Sequence, residues 1–225
     1  MRIFVILLLL TGMGYCYGQN KGNEYSLLVQ EILLKREKFK SKYVNSDTAE
    51  KVSTLNEARI FLDRVISKDI FPYWYGTNWD YNGTTRIPKE GKIACGYFVT
   101  NILTDVGFNI PRIKWAQSAS EVFIVKLAHG NIKRFTNRPI NEIEKYLQIS
   151  GNGVYLVGLD MHVGFLVVES TNISFIHSNY YQPKIGVMSE KINSRNPLND
   201  SNYRIIGKLM TDEMIVKWLF NQAYD

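Results

Sequence analysis

Helical hydrophobic periods dominate the chain as far as Ser150, and short β-branched or aromatic runs separated by turn residues dominate after Gly153. That order, helices first and strands second, predicts an α+β domain in which a helix packs on an antiparallel sheet. Composition permits it, since 45% of the 225 residues are hydrophobic and 21% charged, enough to bury one core. No repeat, low-complexity tract or linker predicts a second globular domain.

Arg2, the apolar run from Ile3 to Leu10 and small Cys16 and Gly18 form the pattern of a secretory signal peptide over residues 1–18. The run is far shorter than the ~20 residues that span a bilayer. A secreted or periplasmic protein with no stable membrane insertion after cleavage is expected. A lipid anchor on Cys16 is disfavoured by bulky Tyr15 before it.

Residues 19–69 read as an N-terminal helical extension. Leu28, Val29, Ile32 and Leu33 make one apolar stripe within residues 24–43, with Lys35, Arg36, Lys38 and Lys40 towards the C-terminal half, where cations suit the helix dipole. Leu55, Ala58, Leu62 and Val65 make a second over 53–66, after a break at Asn45-Ser46-Asp47. Residues 70–90, with Pro72, Pro88 and many Gly, Asn and Thr, read as a structured loop. Phe98, Val99, Ile102, Leu103 and Val106 then predict a helix that begins at Cys95 and ends at Gly107, with Pro111 blocking its resumption. Helices at 118–127 and 140–147, strands at 154–159, 163–168, 173–176 and 203–209, and a closing helix at 212–220 complete the chain.

After signal removal Cys95 is the sole cysteine, so no internal disulfide can form, and an unpaired thiol in an exported protein demands a chemical reason. A thiol attacks as thiolate, and a helix N-terminus favours that anion, so the pKa of Cys95 is expected to be lowered. A histidine must take the proton. His162 opens a strand after the turn-like Asp160-Met161, and His177 ends the next strand, so a hairpin would bring the two together; His129, before Gly130 at a helix end, has no such setting. On these grounds two readings stay open: a small buried hydrophobe with structural histidines, or a thiol hydrolase.

Cys95-Gly96-Tyr97-Phe98-Val99, its apolar stripe and the Ile110-Pro111-Arg112 end resemble the nucleophile helix of the NlpC/P60 cell-wall peptidases, which reads Cys-Ser-Gly-Phe-Val, an apolar stripe, Gly and an apolar-Pro-Arg end. Upstream, Pro72-Tyr73-Trp74-Tyr75-Gly76-Thr77 is similar to that family's Pro-Tyr-x-Trp-Gly-Gly. Downstream, Gly153-Val154-Tyr155-Leu156-Val157 resembles Gly-Asp-Leu-Val, His162-Val163-Gly164-Phe165 resembles His-Val-Gly-Ile, and Phe175-Ile176-His177 resembles a strand ending in Ile-His. The blocks follow family order between residues 70 and 209.

The resemblance implies a papain-like NlpC/P60 fold with residues 70–225 as catalytic domain. It implies Cys95 as nucleophile, His162 as base, His177 as the orienting third residue, and Tyr73, Tyr75 and Gly76 as substrate-binding neighbours. The N–H of Cys95 would help hold the oxyanion. The implied activity is that of a monomeric cysteine peptidase or amidase, without cofactor or metal, that cleaves peptidoglycan stem peptides through a thioester. Ala94 and Gly96 stand where the family has Asp and Ser, Thr77 replaces a glycine, and the gap from Gly76 to Cys95 is longer. Those departures keep two alternatives open: a cysteine acyltransferase or deamidase on another substrate, and a non-catalytic envelope binding module. The formal charge of +6 suits an anionic envelope. Lysines dispersed rather than interleaved with aromatics give no support for nucleic-acid binding.

Overall fold

Three helical segments in succession lead into the molecule. In the computed structural model, residues 23–225 are described in full and residues 4–22 only as part of a helix; the side chains of the expected signal peptide at residues 1–18, its cleavage site and Cys16 lie outside the description. Helix α1 (Phe4–Val44) packs against α2 (Thr48–Arg64), whose start is capped by Asp47 accepting the N–H of Glu50 at 2.9 Å. A π-helical turn, Val65–Ile70, carries the chain into α3 (Phe71–Trp74), so the first part of the expected 70–90 loop is helical. Pro72 has no N–H to give, and the wider turn just before it is where the helix accommodates that loss.

The helical extension shares the core of the rest of the chain. Ile32, Phe39 and Leu62 are buried in the same apolar cluster as Phe98, Phe165 and Trp218. The Tyr25 hydroxyl donates to Asp105 Oδ2 at 2.6 Å and accepts from Trp74 Nε1 at 2.9 Å, fastening α1 to the interior. Among the described residues no helix is long and apolar enough to cross a membrane.

After α3 come two-residue strands β1 (Asn78–Trp79) and β2 (Lys92–Ile93), paired in parallel, and then α4 (Cys95–Asp105). Pro111 does not prevent another helix. It caps α5 (Arg112–Ala116), because proline cannot continue a helix but fits its first turn. The remainder follows as α6 (Ser120–Ala128), β3 (Ile132–Thr136), α7 (Ile140–Ser150), β4 (Gly153–Leu159), β5 (Val163–Glu169), β6 (Asn172–Ser178), β7 (Val187–Lys191), α8 (Pro197–Asp200), β8 (Tyr203–Lys208) and α9 (Asp212–Leu219).

Six strands form one antiparallel sheet in the order β3-β8-β4-β5-β6-β7. Val154, Leu156, Val163 and Phe165 face the cluster that holds α4, while Tyr155, Val157, Leu166 and Phe175 face Ile143 and Leu147 of α7. Coverage on both faces explains why β4 and β5 read as unbroken apolar runs. The strands that sequence periodicity does not reveal, β3 and β7, are the two edges, half exposed and therefore weakly patterned.

Candidate active site

Cys95 is the first residue of α4, behind the extended Ala94, which offers no side-chain cap. The N–H groups at this helix start are thus left for the site. Backbone N–H groups of Val163, Gly96 and Cys95 itself point at the sulfur and lower its pKa, but burial outweighs them and pushes the thiol up. The expectation of a lowered pKa is corrected here: packed between the start of α4 and the start of β5, the sulfur rests as a thiol. Ser178 Oγ donates to the carbonyl of Ile93 at 2.7 Å, tying the end of β6 to the segment just before Cys95.

The β4–β5 hairpin delivers His162. Its turn is closed by the N–H of Leu159 donating to the carbonyl of His162 at 2.8 Å. The Asp160 carboxylate holds the tip by accepting from Ser201 Oγ and from the N–H groups of Asn202 and Tyr203. His162 Nε2 meets His177 Nδ1 at 2.8 Å, and His177 Nε2 meets Glu190 Oε2 at 2.7 Å. Glu190 lies opposite Phe175 in the β6–β7 ladder, and Phe175 shares a face with His177, so the carboxylate reaches the imidazole diagonally. Gly164 makes the approach possible: a Cβ there would stand 2.6 Å from the Phe175 ring and 2.9 Å from His177 Cβ.

This chain of contacts assigns the protons. The Glu190 carboxylate only accepts, so His177 carries hydrogen on Nε2 and offers the lone pair of Nδ1. His162 therefore donates from Nε2, and its Nδ1, buried and without a partner, is the bare basic nitrogen. Burial first, and His177 second, hold His162 well below the ordinary imidazole value. Burial also lowers His177, with Glu190 partly offsetting it. Thiol and imidazole both rest neutral.

Glu190 is the member that sequence reasoning missed. It sits on the unrecognised edge strand β7, and only the cross-strand register relates it to His177. His129 lies elsewhere, exposed at the end of α6 in a 3.4 Å contact with Glu213. The expected substrate-binding trio is placed as follows. Tyr73 packs on the Tyr25 ring, Tyr75 bonds to Ser189, and the N–H of Gly76 donates to Val187; none lines the cavities that Cys95 lines. The aromatic residues that share a cavity with Cys95 are Trp79, Tyr81, Tyr97 and Tyr180.

Two cavities meet at Cys95, Gly96, Ala116, Met161 and His162. One, of about 470 Å³, runs past Ser120 to Glu121, Asp160 and Tyr203. The other, of about 640 Å³, runs between Trp79, Tyr81, Tyr97 and Tyr180. Gly96 lies against α5: an added Cβ would stand 2.2 Å from the carbonyl oxygen of Ala116, so no larger residue fits without moving backbone. Among the described residues, no group of three or more His, Cys, Asp or Glu side chains is arranged to hold a metal ion. Compared with known proteins, the chain matches no family model, no curated sequence and no solved structure.

Proposed function

We propose that the chain is an exported cysteine hydrolase of the NlpC/P60 kind, with a papain-like arrangement of nucleophile helix and sheet, that cleaves an amide bond through a thioester. The observation that carries the reading is the relay from Glu190 through His177 to His162, which leaves Nδ1 without a partner on a histidine that lines the same cleft as Cys95. As the sulfur of Cys95 bonds to the substrate carbonyl, its proton passes to His162 Nδ1. The oxyanion is held by N–H groups at the start of α4. The imidazolium then protonates the leaving amine, the C–N bond breaks, and a thioester remains. Water, giving a proton to His162, attacks the thioester carbonyl; the C–S bond breaks, the acid is released, and the sulfur takes the proton back from His162. Because both partners rest neutral, the proton moves during attack rather than before it.

Peptidoglycan stem peptides are the proposed substrate. A second reading, an acyltransferase or deamidase on another substrate, is favoured by one observation: Ala116 closes the space that the serine of the family motif would need beside Cys95. Digestion of purified peptidoglycan, with products read by mass spectrometry, tests the first. Wild type and His129→Ala should release the same fragments, while Cys95→Ala and His162→Ala release none at unchanged melting temperature. No fragments from wild type would remove the stem-peptide substrate. A folded His162→Ala that still turns over would remove the assigned base.

A further inference from the structure

We infer that the cleft arm running from Cys95 to Trp79 and Tyr81 is a subsite for an uncharged aromatic group beside the scissile carbonyl, an inference that rests on the cysteine hydrolase reading and, because stem peptides carry no aromatic side chain, favours its second substrate class over peptidoglycan. The arm is built by the long segment between Gly76 and Cys95. Asn78–Trp79 pairs with Lys92–Ile93, and the N–H of Trp79 donates to the carbonyl of Pro183 at 2.8 Å. Gly83 crosses so close to this ladder that a Cβ would lie 2.5 Å from the nitrogen of Ile93, and its carbonyl accepts the N–H of Ala94 at 2.8 Å. Asp80 adds an ion pair with Lys92 at 2.9 Å. The segment is therefore a fixed wall that carries Trp79 and Tyr81 to within one cavity of the thiol.

Tyr180 extends the same wall, its ring packed 6.0 Å from that of Trp79 and 5.1 Å from that of His162, centre to centre. No Asp, Glu, Lys or Arg lines this arm; its polar groups are hydroxyls and amides such as Thr84, Asn82 and Gln117. Arg112 stands over the Tyr97 ring, yet gives its Nη1 to Asn101 and is not part of the lining. A carboxylate entering the arm would lose water without gaining a cation. The second arm offers no cation either, since its charged groups are Glu121 and Asp160. Tyr81 and Met161, 80% and 89% exposed at the cleft, present apolar surface that an aromatic ring would cover.

Three chloroacetamides with one warhead and different tails test this on the full chain: N-benzyl, N-carboxymethyl and N-glucosyl. The rate of Cys95 alkylation is read by intact mass at neutral pH. The benzyl compound should react more than tenfold faster than the carboxymethyl one, with saturation, and the ratio should fall towards unity in Tyr81→Ala and Trp79→Ala. Equal rates for all three, or fastest reaction of the glucosyl compound, would overturn the aromatic subsite. Failure of the hydrolase reading is separate: it would show as rates that His162→Ala leaves unchanged, whichever tail is preferred.

Discussion

Replacing Glu190 by Gln tests whether the relay sets the state of the base. In the wild-type chain the carboxylate accepts from His177 Nε2 at 2.7 Å, and that one bond determines which nitrogen of each imidazole carries hydrogen. A glutamine amide can turn either way. With its nitrogen towards His177 the pattern inverts, and His162 then holds hydrogen on Nδ1, where it cannot accept a proton from Cys95. A hydrogen bond to a charged group contributes about 1.5–3 kcal/mol and a neutral one about 0.5–1.5 kcal/mol, so the substitution removes roughly 1–2 kcal/mol from the imidazolium-forming transition state. That corresponds to a loss of about 5–30-fold in the acylation rate. The burst of p-nitrophenol from p-nitrophenyl acetate measures acylation without the natural substrate, and nitrogen NMR of the imidazoles reports the tautomers. Wild type should show a bare His162 Nδ1 and the variant a mixture. An unchanged burst with unchanged tautomers would refute the relay. A folded variant as inactive as Cys95→Ala would show instead that Glu190 acts directly and not through His177.

Alkylation of Cys95 by iodoacetamide should fall steadily from pH 9 to pH 6, because burial raises the thiol and His162 rests neutral; a thiolate plateau persisting to about pH 5 would instead indicate a preformed ion pair. Gly96→Ser should cost about 1–3 kcal/mol through overpacking against the Ala116 carbonyl. The melting temperature should drop by several degrees, and a shift under about 1 °C would show that α5 yields freely. Tyr25→Phe strands Trp74 Nε1 and Asp105 Oδ2 in the interior. Urea unfolding should register a loss of about 2–4 kcal/mol, and a loss below about 0.5 kcal/mol would mean that α1 is not fastened as described.

The helical stripe after Cys95, the paired apolar strands and the closing helix are legible in the sequence because their side chains repeat with the period of the element and both sheet faces are covered. The same patterns placed Cys95 at a helix start and His162 and His177 on adjacent strands, which the hairpin register brings to 2.8 Å. Edge strands β3 and β7 escaped, since half-exposed strands carry half the signal.

Local pattern alone therefore yields the α+β class, the order of the strongly patterned elements and three members of the cluster. The protonation pattern, the fourth member and the walls of the cleft arise from contacts between elements distant in the chain. Local periodicity records which face of an element is buried, but Glu190 meets His177 through cross-strand register, and Trp79 comes to share a cavity with the thiol through a short parallel ladder that carries no periodic signal. The thiol itself shows the limit most plainly. A helix N-terminus argues for a lowered pKa, whereas desolvation, which depends on everything packed around the sulfur, raises it and prevails.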